Sequence, residues 1–583
     1  METWLIILPI LLPWLGAVVV WALQERAPRL QHALAVAFAL GGGAAAIALL
    51  PHAGDEALVR VPLGTVFGDF TLVPDGLGLF LTIIATVVGG LAVVFSGEYM
   101  RGEAQLARYY ALVLFFIGAM AGLVLSGGFL MLFLFWEITA FCSYALISFY
   151  NDDPKAVSAG VKALIMTQFG GVGLMVLALV AYGYLGSYDI NTFIAQAHTL
   201  PAGLLGAVAF ASLAAAAAKS AQVPFQTWLP DAMEAPTPIS ALIHAATMVN
   251  AGVYLLARLY PAFADVPGWT AAVVTVGLLS ALLAAIMALV ATDLKRVLAY
   301  STVSQLGYMV YAVGVGGVFA SQFHLLSHSV FKALLFLSAG AIIHAVGTRD
   351  MRQMGGLGRK MPIVRAVFVI GALALVGLPP ANGFLSKELV LEEGLAHGPT
   401  WAYVGMLLGA GLTALYTIRM VAMVFHGESR VTKHVHDALP LMSAPLGLLA
   451  LGTLTTWLLA GPFSGLLART LPFHTLEETT TWHLVEEIFT APATWLALLV
   501  IAVGLALWFL RARLDGLRQA LQPLSGLAAN SFGFEALNRQ ISHGVRGAAG
   551  ALSRTQTGQL NWNVAAIVGA LALVLAILVW RAG

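Results

Sequence analysis

KSAQVPFQTWLPDAMEAPTPISA, residues 219–241, carries a lysine and four prolines between apolar stretches. Proline removes a backbone donor and kinks or ends a helix. Pro224, Pro230, Pro236 and Pro238 therefore interrupt what would otherwise be a long apolar helix. A second stretch, VGLPPANGFLSKE at 376–388, repeats the combination, with Pro379, Pro380 and Gly383 just ahead of Lys387. In lipid, the carbonyls freed by a break need protein or water as partners. Each stretch is read as a discontinuous helix lining a cavity. Two such breaks at similar places in two halves are the mark of an inverted-repeat transporter. Ordinary proline kinks would not bring a lysine with them twice.

Composition agrees. The 583-residue chain is 60% hydrophobic and only 10% charged, where soluble domains carry about a quarter charged residues. A net charge of +1 gives no footprint for nucleic acid. The single cysteine, Cys142, lies in an apolar run. That excludes a disulfide framework and a Cys-based metal or iron–sulfur centre, and Cys142 reads as a small core residue. Windows of about 20 apolar residues are the membrane-helix signal. Sixteen are read, at 3–23, 30–50, 75–97, 109–126, 128–149, 163–185, 203–219, 238–257, 268–292, 297–315, 322–345, 366–395, 402–424, 440–460, 491–510 and 562–580. The alternating segment 57–74 is too short to span and predicts an extramembrane hairpin.

The expected fold is an all-α polytopic membrane protein. It has about sixteen transmembrane helices, two inverted repeats containing the broken helices, an amphipathic lateral helix and a final span. The chain divides at 1–108 (first helices and hairpin), 109–260 and 261–427 (the two repeats), 428–510 (additional helices), 511–561 (lateral helix) and 562–583 (last helix). The lateral segment is mixed and basic, interrupted at Pro523 and Gly533, with a continuous part at about 535–560. It reads as lying along the inner membrane surface rather than as a solvated linker.

Charge placement sets the topology. Of 29 Lys and Arg, 22 fall on one side of the spans and four on the other (Arg60, Arg258, Arg469 and Arg581); three lie inside apolar runs. The richer side is the inner one. Both termini are then outside, in a multi-pass protein of a bacterial or archaeal cytoplasmic membrane. The N-terminal apolar segment starts with Glu2 and has no small-residue cleavage site, so it is read as a retained first span.

The three inward lysines are Lys219, Lys332 and Lys387. A charge at bilayer depth costs several kcal/mol by insertion scales and faces a bundle interior or a water-filled path. Glu137, in LMLFLFWEITAFCSYAL (130–146), is the matching acid and a natural ion-pair partner for Lys219. His324, His328 and Lys332 lie at i, i+4 and i+8 in FHLLSHSVFKALLFL (323–337). That spacing puts them on one helix face. Stacked imidazoles titrate near neutrality and can relay a proton. A metal site built on the two histidines lacks a third ligand in the sequence. Glu388 repeats the acid–lysine arrangement or serves as an exit group. Lys162 is an entry relay or an ordinary snorkelling lysine. His244 follows the first break and can carry protons inward. No cofactor or metal is expected; buried titratable groups without a redox centre point to proton movement.

LPDAMEAPTPISALIHAATMVNAGVYLLAR (229–258), ATDLKRVLAYSTVSQLGYM (291–309), HLLSHSVFKALLFLSAG (324–340) and GLPPANGFLSKE (377–388) resemble motifs of the proton-translocating antiporter-like family. That family includes the large distal membrane subunit of respiratory complex I and the first large subunit of Mrp-type Na+/H+ antiporters. It also has relatives in membrane hydrogenases and inorganic-carbon uptake systems. The resemblance runs from about Phe129 to Gly427, where RMVAMVFHG also fits, and resumes at TQTGQLNW in the tail. It implies that Glu137 and Lys219 form an input pair, His324, His328 and Lys332 a central hydrated axis, and Lys387 the output group. Where complex I subunits usually read TRVGD, this chain reads Thr167-Gln168-Phe169-Gly170-Gly171. The implied partners are other membrane subunits of a complex I-like or Mrp-like assembly, making the chain a translocase subunit without a redox centre of its own. A soluble carbonic-anhydrase-like protein driven by proton flow is the alternative partner, and a purely structural scaffold is the third reading.

Overall fold

A bilayer offers the backbone no hydrogen-bonding partners, so spanning segments become helices. The computed structural model describes residues 2–55, 58–64, 67–431 and 434–555, and beyond them only 564, 568, 569 and 571. Among the described residues, 13 helices are long and apolar enough to cross a membrane. The other three expected windows fare differently. The window 297–315 is helical within Leu294–Gly314, but too polar to stand out by hydropathy. The window 366–395 is split into Pro362–Val376 and Asn382–His397. The window 562–580 lies outside the described residues save for four positions. The hairpin forms as expected, with Val59–Pro62 antiparallel to Asp69–Leu72.

Both proline-rich stretches break their helices. Ala202–Lys219 ends on the lysine itself. The chain then turns through Ala221, which has a positive φ, and resumes in the short helices Trp228–Asp231 and Thr237–Ala241. A π-helical turn, Leu242–Ala246, leads on to Asn250–Phe263. The second break falls at 377–381. There the two halves cross so closely that a Cβ on Gly383 would lie 1.9 Å from the Ala374 carbonyl oxygen, which only glycine allows.

Between these breaks runs the longest uninterrupted helix of the second half, Val318–Val346, here the axial helix. The helix Leu294–Gly314, here the flanking helix, packs against it. The chain divides into two compact units, Met1–Ser525 and Gly526–Gly583. The second contains the amphipathic helix Phe534–Thr555, which starts after Gly533 in a left-handed conformation. Its 22 residues span about 33 Å at 1.5 Å per residue. The rest of the expected 535–560 run lies outside the described residues.

Candidate functional site

Lys219 is fully buried. Its ammonium donates to the Trp136 carbonyl at 2.7 Å and sits 4.8 Å from the Trp136 ring centroid. Glu137, the next residue on the Phe129–Ile147 helix, is half-buried and interacts electrostatically with Lys219. Two residues of the long helix Pro154–Leu185 shape its carboxylate's pocket. Gln168 hydrogen-bonds Glu137, and a Cβ on Gly171 would lie 2.3 Å from Glu137 Oε1. The departure at 167–171 is thus a change in what surrounds the acid. Gly171→Leu is expected to displace the Glu137 carboxylate and cut proton flux by at least about tenfold, or ~1.4 kcal/mol of barrier. Assembly should be retained, and flux in reconstituted vesicles equal to the unsubstituted protein would refute the assignment.

The axial helix places His324, His328 and Lys332 fully inside the protein. The flanking helix and the helix Asn382–His397 supply partners for His324, and the flanking helix for Lys332. His324 Nε2 lies 3.0 Å from Gln305 Oε1, and its Nδ1 lies 3.0 Å from Ser386 Oγ. Lys332 donates to Ser301 Oγ and, at 3.4 Å, to the Leu298 carbonyl. His328 and His244 differ: among the described residues neither ring nitrogen of either has a protein hydrogen-bond partner, although both residues are fully buried. The His244 ring rests on Phe336 at 4.6 Å. Buried polar groups in folded proteins are paired with protein or ordered water. Asn250 Nδ2 bridges the same region, donating to Ala245 O at 2.9 Å and lying 3.3 Å from Ser329 Oγ.

Lys387, on the helix after the second break, donates to the Val376 carbonyl at 3.2 Å. Val376 is the last residue of the preceding half-helix, so the lysine holds a carbonyl that the break sets free. A cation also favours a helix C-terminus. The Lys387 ammonium lies 5.1 Å from the Tyr308 ring centroid, and Tyr308 is on the flanking helix. Glu388 is fully buried, and it interacts electrostatically with Lys387.

Lys162 is an ion-pair residue: its ammonium lies 2.7 Å from Asp231, which also receives Arg296 at 3.1 Å. Two basic residues read as loop or membrane-flanking charges are in fact buried. Lys295 is 2% exposed and donates to Met233 O at 2.8 Å and Ala235 O at 2.6 Å. These are carbonyls of the first break, and Arg349 also binds Met233 O. Arg258 is 6% exposed and pairs with Asp75, its Nη2 donating to Oδ1 at 2.8 Å. The missed partners Ser301, Gln305 and Tyr308 had a signal. They form an i, i+4, i+7 polar stripe in a span-length helix. Nothing local pairs Asp75 with Arg258, 183 residues away.

Residues 126–413 match the family described as NADH:quinone oxidoreductase/Mrp antiporter, TM, and residues 61–110 match NADH-ubiquinone oxidoreductase (complex I), chain 5 N-terminus. The chain is 38% identical over 547 residues to NADH-quinone oxidoreductase subunit L of Escherichia coli (strain K12), covering 88% of each. It is 36% identical over 476 residues to Na(+)/H(+) antiporter subunit A1 of Staphylococcus saprophyticus, covering 76% of this chain and 59% of that one. Among solved structures, a chain of the Mrp complex from Dietzia sp. DQ12-45-1b superposes with a TM-score of 0.84 at 29% identity. The match covers 99% of this chain and 63% of that one, so the chain spans less than two thirds of either antiporter chain.

Proposed function

We propose a function from one premise: the chain belongs to the NADH:quinone oxidoreductase/Mrp antiporter family of membrane subunits. It is a multi-pass membrane protein whose relatives work inside multisubunit membrane complexes. Its function is proton translocation within a complex I-like or Mrp-like assembly. We read the inner membrane as its location, with both termini outside on the charge count. The carbonic-anhydrase-like partner stays an expectation of the sequence resemblance alone.

The observation that carries the reading is the run of buried titratable groups, two of them imidazoles without protein partners. In our scheme Glu137 and Lys219 receive the proton. His244, in the π-helical turn, and His328 and Lys332, on the axial helix, pass it on. His324, held by Gln305 and Ser386, hands it towards Lys387 and Glu388. The unpaired nitrogens of His244 and His328 need water, which would make that stretch the conducting one. Protonation at one station changes the charge felt at the next, so opening or closing the Glu137–Lys219 interaction gates uptake. An uncompensated buried charge is strongly disfavoured. The tail 511–561 we read as a brace against a neighbouring subunit, its six arginines facing anionic headgroups.

The test is proton flux by the assembled complex in vesicles carrying His328→Ala. Flux is expected to fall at least about tenfold, or ~1.4 kcal/mol of barrier, with subunit stoichiometry unchanged. His328→Gln, which keeps a polar side chain but cannot titrate, should fail too. If the Gln variant pumps normally, the histidine only organises water and the relay is wrong.

A further inference from the structure

We propose that an apolar groove, distinct from the line of buried titratable groups, binds one anionic membrane phospholipid. It lies between the helices Glu2–Ala22, Leu106–Leu125 and Phe129–Ile147, with a volume of about 810 Å³. Its walls are apolar: Trp14, Val18 and Trp21 on one side face Phe141 on the other. The Trp14 indole N–H is satisfied by the Phe115 carbonyl at 3.0 Å, so that end presents only ring carbon. Val18, Trp21 and Phe141 are 65%, 67% and 54% exposed, so the groove opens to the surroundings along its length.

The opposite end is polar and asks for an acceptor. Arg108, in the first turn of its helix, donates to Gln105 Oε1 at 2.8 Å and to Ala145 O at 3.3 Å. A guanidinium has five N–H donors, so several remain for a ligand. Ser148 closes the same end; it is 5% exposed, with its Oγ packed against Gly160. No carboxylate lines the groove. Glu25 is committed to the backbone N–H groups of Leu106 and Ala107, and Asp153 to the Lys155 N–H at the start of the helix Pro154–Leu185. A phosphate oxygen can accept from Arg108, and arginine binds phosphate in bidentate fashion.

The distance from Trp21 to Trp14 is about 10 Å along the helix at 1.5 Å per residue. A lipid with its phosphate at Arg108 therefore lays the upper part of one acyl chain between Val18 and Phe141. Tryptophan at this level is the usual interfacial anchor. A protein helix is about 10–12 Å across with its side chains; a slot bounded by three helices and ending in an unpaired cation suits an acyl chain and phosphate better.

The experiment is native mass spectrometry of the full chain in its complex, delipidated and then titrated with phosphatidylglycerol or phosphatidylcholine. One phosphatidylglycerol is expected to bind in preference to phosphatidylcholine. R108Q should weaken it by about tenfold, the value of one charged hydrogen-bonding group, and R108K should keep most of the affinity. A photo-crosslinking amino acid at position 18 should label lipid. Equal binding of the two lipids, unchanged affinity in R108Q, or labelling of a protein subunit from position 18 would each overturn the assignment.

Discussion

Proton translocation falls to background in Lys219→Ala, by at least about 100-fold or ~2.7 kcal/mol of barrier, while the chain still inserts and assembles. Lys219 is fully buried, ends its helix at a break, and has its ammonium on the Trp136 carbonyl beside Glu137. Alanine leaves a helix that ends in the same place but removes the buried ammonium that can hold a proton and release it beside Glu137. Glu137→Gln should fail in parallel, since an amide keeps the shape but cannot balance the ammonium. The measurement is flux in reconstituted vesicles, with subunit stoichiometry checked on the same sample. Near-normal flux in Lys219→Ala would remove this lysine from the mechanism. Loss of assembly would make the phenotype structural, and Lys219→Arg, which keeps the charge but cannot give up its proton, would then decide. A pumping Arg variant would sink the relay.

The second large effect is on stability. Arg258→Ala is expected to destabilise the protein by about 3–5 kcal/mol, because removing one partner strands a buried carboxylate. Asp75 does two jobs. It pairs with Arg258, and it caps the helix beginning at Gly76 by accepting from the Gly78 N–H at 2.8 Å. Arg258 also donates to Tyr254, whose hydroxyl donates to the Val124 carbonyl at 3.1 Å. Thermal unfolding in nanodiscs should show a clear loss for Arg258→Ala. Part of it should return in the Arg258→Ala, Asp75→Asn double variant, where no charge is left unpaired. An unchanged melting temperature in the single variant would mean that water already reaches the pair.

The sequence by itself determined the class and the broken helices and singled out the buried polar residues, because the bilayer punishes exceptions. A lysine, or a proline-rich stretch, inside an apolar run has few physical explanations. Lys219, Lys332 and Lys387 were therefore legible one at a time, and the i, i+4, i+8 spacing was enough to put His324, His328 and Lys332 on one face. The tertiary structure decided which of these groups have partners. His324 is held by Gln305 and Ser386, whereas His328 and His244 have no protein partner, and nothing in their spacing tells them apart. Lys295 looked like a membrane-flanking charge because it stands next to Arg296 at a helix start. Only folding brings it to Met233 and Ala235, whose carbonyls the first break leaves free. Asp75 and Arg258 are 183 residues apart. Hydropathy and periodicity report what each segment must bury; which distant group meets it there is set by helix packing, and no local pattern carries that information.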